Sequence, residues 1–189
     1  MWEDEQARWV AMYAELEKPL YNVVYRMLWD AGESQDIVQE AFLRCWRKRT
    51  GIRPEGLKAV LYRAALNLAI NRRRRLRLWR FVGVEAIDDE PTEARTDEAI
   101  PRHMREAVDA LPAPYRSVLL LTEIAGMTYG EVADTLGIGE GTVGSRRTRA
   151  LARLRKSLAA MASKPSGDQA TDQADVGPVE PALDESRLP

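Results

Sequence analysis

Apolar residues recur at three- and four-residue spacing along most of the chain, and the breaks in that rhythm mark its elements. Residues 8 to 80 carry few glycines and an apolar period near about 3.6 residues, which predicts a helical unit. In its middle, Ile37, Val38, Ala41, Phe42 and Cys45 share one face of a helix that Ser34 is placed to cap, and Asp36, Gln39, Glu40 and Arg44 share the other. A further helix is predicted from Leu57 to about Arg75. Its inner stripe is Leu57, Val60, Leu61, Ala64 and Leu68, and its outer stripe Arg63, Asn67, Asn71 and Arg74. Residues 81 to 101, rich in Asp, Glu, Thr and Pro, read as a flexible linker. A second helical unit, from about 102 to 162, opens on Met104, Ala107, Val108 and Leu111. It breaks at Pro112-Ala113-Pro114 and restarts before Val118-Leu119-Leu120-Leu121, a helix that Gly126 closes.

Residues 128 to 158 carry the sharpest signal. Thr128-Tyr129-Gly130-Glu131 spells a capping box, in which hydroxyl and carboxylate each satisfy an amide at the helix start. Val132, Ala133 and Leu136 follow at helical spacing, and Gly137 stands where a left-handed cap is wanted. After the turn Gly137-Ile138-Gly139, Thr142 is a plausible cap for a helix with Val143, Ala150, Leu151, Leu154 and Leu158 inward. Ser145, Arg146, Arg149 and Arg153 then point outward. Two short helices joined this way form a helix-turn-helix, whose second helix enters the DNA major groove.

Charge changes the picture more than composition does. The chain has 189 residues, is 45% hydrophobic and 30% charged, and carries a net charge of only −1. That sum hides segregation: residues 44 to 80 hold thirteen Lys and Arg against Glu55 alone, and residues 143 to 157 hold six bases and no acid. Like charge on one helix is unfavourable without a polyanion to neutralise it, so both blocks are read as nucleic-acid surfaces. Trp46, Tyr62 and Trp79 lie in or beside the first block; each is a candidate platform for an unpaired base, although for any one of them the core is the favoured place. Residues 163 to 189 have two bases, six acids and scarcely an aliphatic residue, a composition that predicts disorder.

The same inventory excludes several classes. No apolar run is long enough for a membrane span, and the acidic start Met1-Trp2-Glu3-Asp4-Glu5 is unlike a signal peptide, so the expected location is cytoplasmic, with no membrane insertion. Cys45 and His103 are the only residues of their kinds, which leaves no disulfide and no cysteine/histidine metal cluster. No nucleophile-base pair or phosphate loop appears, so no enzyme, metal or cofactor is expected. The residues alone leave open a stand-alone helix-turn-helix transcriptional regulator, and an interaction module for an acidic protein.

Three ordered blocks carry a resemblance to a known family. They are Asp36-Ile37-Val38-Gln39-Glu40-Ala41-Phe42-Leu43-Arg44 with Trp46, then Leu61 through Asn71, and finally Leu111-Pro112, Tyr115-Arg116, Gly126 through Ala133 and Gly141 through Arg146. In these the chain resembles the extracytoplasmic-function sigma factors, promoter-specificity subunits of bacterial RNA polymerase. The resemblance implies an all-α fold of two small helical domains joined by the acidic linker, the second a helix-turn-helix domain. The expected boundaries are 1–80, a linker at 81–101, 102–162 and a tail at 163–189. It implies core polymerase, through its beta and beta-prime subunits, as partner of Asp36, Gln39 and Glu40. It gives Arg53, in a base-accepting loop at residues 50 to 56, and Arg63, Asn67, Asn71, Arg72 and Arg74 to the minus-ten element, gripping the single-stranded non-template strand. Ser145, Thr148 and Arg149 would face bases of the duplex minus-thirty-five element and Arg146 its phosphates, with Gly144 standing where a basic residue is common. An anti-sigma factor is the further partner implied.

Overall fold

The computed structural model describes residues 2–49, 56–81 and 100–162, and among these every regular element is a helix. The base-accepting loop with Arg53, most of the linker and the tail lie outside the described residues. The helices are α1 (Trp2–Leu28), α2 (Ala31–Arg47), α3 (Leu57–Phe81), α4 (Arg102–Asp109), α5 (Ala113–Glu123), α6 (Tyr129–Leu136) and α7 (Glu140–Ala162).

Helices α1, α2 and α3 pack on one another because each presents an unbroken apolar stripe. Leu20, Val23, Val24 and Met27 of α1 meet Val38, Ala41 and Cys45 of α2 and Leu61, Ala65 and Leu66 of α3, all essentially inaccessible. The inner stripe of α3 is rotated slightly from its sequence-predicted position: Leu61, Tyr62, Ala65, Leu66 and Ala69 are buried, while Val60, Ala64 and Leu68 pack at the margin. Small Ala65 and Ala69 let the backbones approach, a role that hydrophobicity alone understates. The helix also continues past Arg75 to Phe81.

Ser34 does not cap α2. Asp30 does, its carboxylate accepting from the Glu33 amide at 2.7 Å, and the helix begins at Ala31. Ser34 is fully buried one turn inside, its hydroxyl donating to the Asp30 carbonyl. Both residues are capping types; the earlier one wins because Ala31 and Gly32 can be wound into the first turn. Likewise α7 starts at Glu140 rather than after Thr142, whose amide already donates to the Gly139 carbonyl at 2.9 Å.

The core does not stop at the end of α3. Val118, Leu120 and Leu121 of α5, Met127 from the following turn, Val132 of α6 and Val143 of α7 belong to the same apolar cluster, so the two helical units share one interior. A smaller cluster of Leu111, Leu119 and Ala150, edged by Tyr115, Leu151 and Leu154, holds α7 against α5. Arg116 is the largest fully buried side chain among the described residues. It donates to the carbonyls of Val108 at 3.0 Å, Asp109 at 2.5 Å and Leu111 at 2.8 Å, at the corner where the break at Pro112 interrupts helical pairing; the Val108 carbonyl also accepts from the Leu111 amide at 3.1 Å. Burial pushes its pKa down to about 10, so the guanidinium keeps its charge at neutral pH.

Candidate polymerase and nucleic-acid surfaces

On α2 the outer face is presented as the periodicity predicts. Asp36 and Gln39 are exposed, and Glu40 is tied to Arg44 one turn on at 2.6 Å, which holds its carboxyl below the usual range. Beside them runs an apolar groove between α1 and α2, lined by Trp9, Val10, Tyr13, Phe42, Leu43 and Trp46. Leu43 is 49% and Val10 63% exposed, large for aliphatic side chains. A polar face flanked by exposed aliphatics has the composition of a protein contact.

The outer face of α3 divides into committed and uncommitted side chains. Asn67, Asn71 and Arg74 are exposed and make no ion pair among the described residues. Arg63 is engaged with the second unit: its Nε donates to the Thr135 carbonyl at 2.7 Å and a terminal nitrogen donates to the Asp134 carbonyl, both at the C-terminal end of α6, where the helix dipole favours a cation. Arg72 pairs with Glu33 of α2. Of the three aromatic candidates, Tyr62 is core, 1% exposed, and burial raises its pKa to about 12. Trp46 packs edge-on to Trp9 with the Arg49 guanidinium 4.1 Å above its ring. Trp79 is 46% exposed.

Several residues that pattern reading did not single out join the two units. The Trp29 indole donates to the Asp109 carboxylate at 2.9 Å, and Arg73 donates to the same carboxylate and to the Met27 carbonyl, each at 2.7 Å. Trp29 holds a left-handed backbone, φ 60°, a conformation rare outside glycine and one that turns α1 into α2 with the indole facing α4. Lys58 pairs with Glu131 at 2.8 Å. The available sequence hint was slight: an arginine run whose members looked alike, of which Arg73 alone turns inward to these partners while its neighbours Arg74 and Arg75 stay exposed.

The helix-turn-helix has the local geometry its sequence spells. Thr128 and Glu131 form the complete capping box, and Gly137 adopts φ 66°. On α7, Ser145, Thr148, Arg149, Arg153, Arg155 and Lys156 are exposed and Arg146 is half-buried. The Ser145 and Thr148 hydroxyls donate to the Thr142 and Gly144 carbonyls, so each also offers lone pairs outward. Arg147 is bound to Glu123 at 2.6 Å and Arg153 lies over the Tyr115 ring at 5.1 Å. Arg146, Arg149, Arg155 and Lys156 have no acidic partner among the described residues; Arg149 and Lys156, seven residues apart, lie on one side of α7. A Cβ on Gly144 would meet the Tyr129 ring at 3.4 Å, so the missing side chain is where α6 leans on α7.

Known proteins share this arrangement. The family described as Sigma-70 region 2 matches residues 12–78, and Sigma-70, region 4 matches residues 102–154. The extracytoplasmic-function RNA polymerase sigma factor SigE of Mycolicibacterium smegmatis is 29% identical over 163 residues, which span 82% of this chain and 63%, just under two thirds, of that protein. Sigma factor SigL of Mycobacterium tuberculosis is 32% identical over 160 residues, 82% of this chain and 90% of that protein. Among solved structures, the sigma factor RpoE in complex with the anti-sigma factor NepR from Bartonella quintana superposes with a TM-score of 0.62 at 22% identity, covering 79% of this chain and 97% of that one. CnrH in complex with the cytosolic domain of CnrY gives 0.62 at 24% identity, covering 82% and 90%.

Proposed function

The chain belongs to the extracytoplasmic-function sigma factors of RNA polymerase, and from that premise we propose that it binds core polymerase through α2 and reads promoters with α3 and α7. Asp36, Gln39 and Glu40, with the exposed aliphatics beside them, form the surface for the beta-prime subunit. Asn67, Asn71, Arg72 and Arg74, with Arg53 and a released Arg63, grip the displaced strand of the minus-ten element. Ser145, Thr148 and Arg149 read the duplex minus-thirty-five element while Arg146 takes a phosphate. Promoter melting then follows from capture: holding an extruded base and its backbone offsets the stacking lost on strand separation. Polymerase performs the chemistry, and this chain is a cytoplasmic specificity subunit rather than an enzyme. Residues 1–80 and 102–162 act as its two functional domains.

The observation that carries this reading is the co-occurrence of an exposed polar face flanked by aliphatics on α2 with bases on α7 that have no acidic partner among the described residues. A stand-alone regulator would need only the second, and gives no reason for the region 2 match over residues 12–78. The structural neighbours were captured with anti-sigma partners, and a partner of that kind is proposed here too. The decisive test is reconstitution: the purified chain added to bacterial core polymerase on a promoter library should shift the mapped start sites. Asp36→Arg should lower core affinity roughly tenfold, about 1.4 kcal/mol, without altering binding of the free chain to duplex. Unchanged start sites would dismiss the function; unchanged co-purification of the variant would dismiss the α2 assignment alone.

A further inference from the structure

On α7, Arg149, Arg155 and Lys156 are exposed and Arg146 half-buried, none with an acidic partner among the described residues, and the chain itself carries a complementary segment directly after it. Residues 163 to 189 contain Asp168, Asp172, Asp175, Glu180, Asp184 and Glu185 against Lys164 and Arg187. We propose that this segment folds back on α7 and occupies its duplex-reading surface in the absence of DNA, its carboxylates standing in for phosphates. The proposal rests on the reading of α7 as a DNA surface and adds a regulator of that surface from within the chain.

Length, direction and charge all suit the return. α7 ends at Ala162, and Arg149 lies thirteen residues upstream, about 20 Å along a helix axis at roughly 1.5 Å per residue. Gly167 is five residues beyond Ala162, and Glu180 is thirteen residues beyond Gly167, about 44 Å of extended chain at roughly 3.4 Å each. After a reversal at residues 165 to 167 the first acid lies beside the end of α7, and the later ones reach back as far as Arg149. The reversal this needs falls on Pro165-Ser166-Gly167, residues that favour turns. Arg155 and Lys156 lie on the way, both exposed. Single pairs of exposed charges contribute little, but a tethered segment acts at an effective concentration near the millimolar range, so several weak pairs suffice to compete with a weak ligand. A promoter engaged through polymerase has far greater affinity and would displace the segment, whereas sporadic duplex would not. The consequence is selectivity: free chain is kept off bulk DNA, and only the polymerase-bound form reads.

The test compares the full chain with a version ending at Ser163 and with one in which the six acids are replaced, Asp by Asn and Glu by Gln. The probe is a labelled mixed-sequence duplex of about 30 base pairs, since phosphate contact does not depend on sequence. Both variants should bind about 3- to 10-fold tighter than the parent at low salt, and the gap should close as salt screens the segment. A second readout needs no DNA. A spin label on Ala174→Cys should broaden the amide resonances of residues 146 to 156, and the six-acid replacement should abolish the effect; buried Cys45 leaves the label site unique. Equal affinities at low salt, absent broadening, or an affinity gain obtained instead by neutralising the acids of residues 81 to 101 would each overturn the proposal. If no version binds duplex while the broadening persists, the DNA reading of α7 fails and the intramolecular contact stands.

Discussion

Two side chains on α7 illustrate how exposure separates function from stability at the level of single residues. Arg149 is exposed and bonded to nothing among the described residues, so Arg149→Ala should leave the unfolding midpoint within the usual surface range of about 0.5 kcal/mol. In promoter binding the same change should cost about 1 to 3 kcal/mol and relax preference at one base pair, as expected of an arginine on a guanine edge. An equal loss on every sequence would reassign Arg149 to phosphate. Gly144 poses the reverse case. A side chain there meets only the Tyr129 ring, at 3.4 Å, and removing glycine from a helix interior is worth about 0.5 to 1 kcal/mol. Gly144→Lys should therefore hold or raise stability while steepening the salt dependence of duplex binding by about 0.9 in log-log slope, one added phosphate contact. A slope that stays where it was would show that position 144 faces away from the backbone of the DNA.

The elements were legible where local chemistry alone decides them and obscure where tertiary contacts do. The capping box at Thr128, the left-handed Gly137 and the buried face of α2 follow from residues within one or two turns, and all three stand as their sequence spells them. The starts of α2 and α7 differ from the sequence reading because each offers more than one competent residue, Asp30 and Ser34 in one case, Glu140 and Thr142 in the other, and residue type alone does not choose between them. The inward turn of Arg73 was illegible in principle: its partners, Met27 and Asp109, are distant in sequence. Arg116 shows the same limit at the α4-α5 corner. The Pro112 break takes the Leu111 carbonyl out of helical pairing, and that need was visible, but not which cation would meet it. Arg116→Leu removes three bonds from a buried site, leaving the Leu111 carbonyl without a donor and those of Val108 and Asp109 with only the Leu111 amide and Arg73, and should cost about 2 to 4 kcal/mol in urea unfolding. A loss under about 1 kcal/mol would mean that water reaches those carbonyls.

At the scale of the whole molecule the question is how two units proposed to read separate DNA elements come to share one core. Arg63 sits on the α6 carbonyls, Lys58 on Glu131, and Trp29 with Arg73 on Asp109, so the described arrangement is held by polar contacts around a common apolar centre. On the proposed role of Arg63 at a displaced strand, it would exchange those carbonyls for phosphate, and separation of α3 from α6 would be a step toward engaged DNA. The Lys58–Glu131 pair gives a handle on that step. Glu131 is held below the ordinary carboxylate range first by the hydrogen bond from Lys58 and then by the Thr128 amide of its own cap. A carboxyl whose folded pKa lies below its unfolded value contributes fully above about 4.5, and the contribution fades as pH falls through the folded value. Acid should therefore loosen α3 from α6 before the helices themselves unfold, seen as a rise in radius of gyration by solution scattering while helical circular dichroism persists. Lys58→Met removes the pair but leaves the cap, and should give at neutral pH part of the expansion that acid gives the parent, with a shallower acid response. If Lys58→Met expands no more than the parent and keeps its full acid response, the depression of Glu131 belongs to the cap, and what holds α3 to α6 is the buried apolar contact with Arg63 alone.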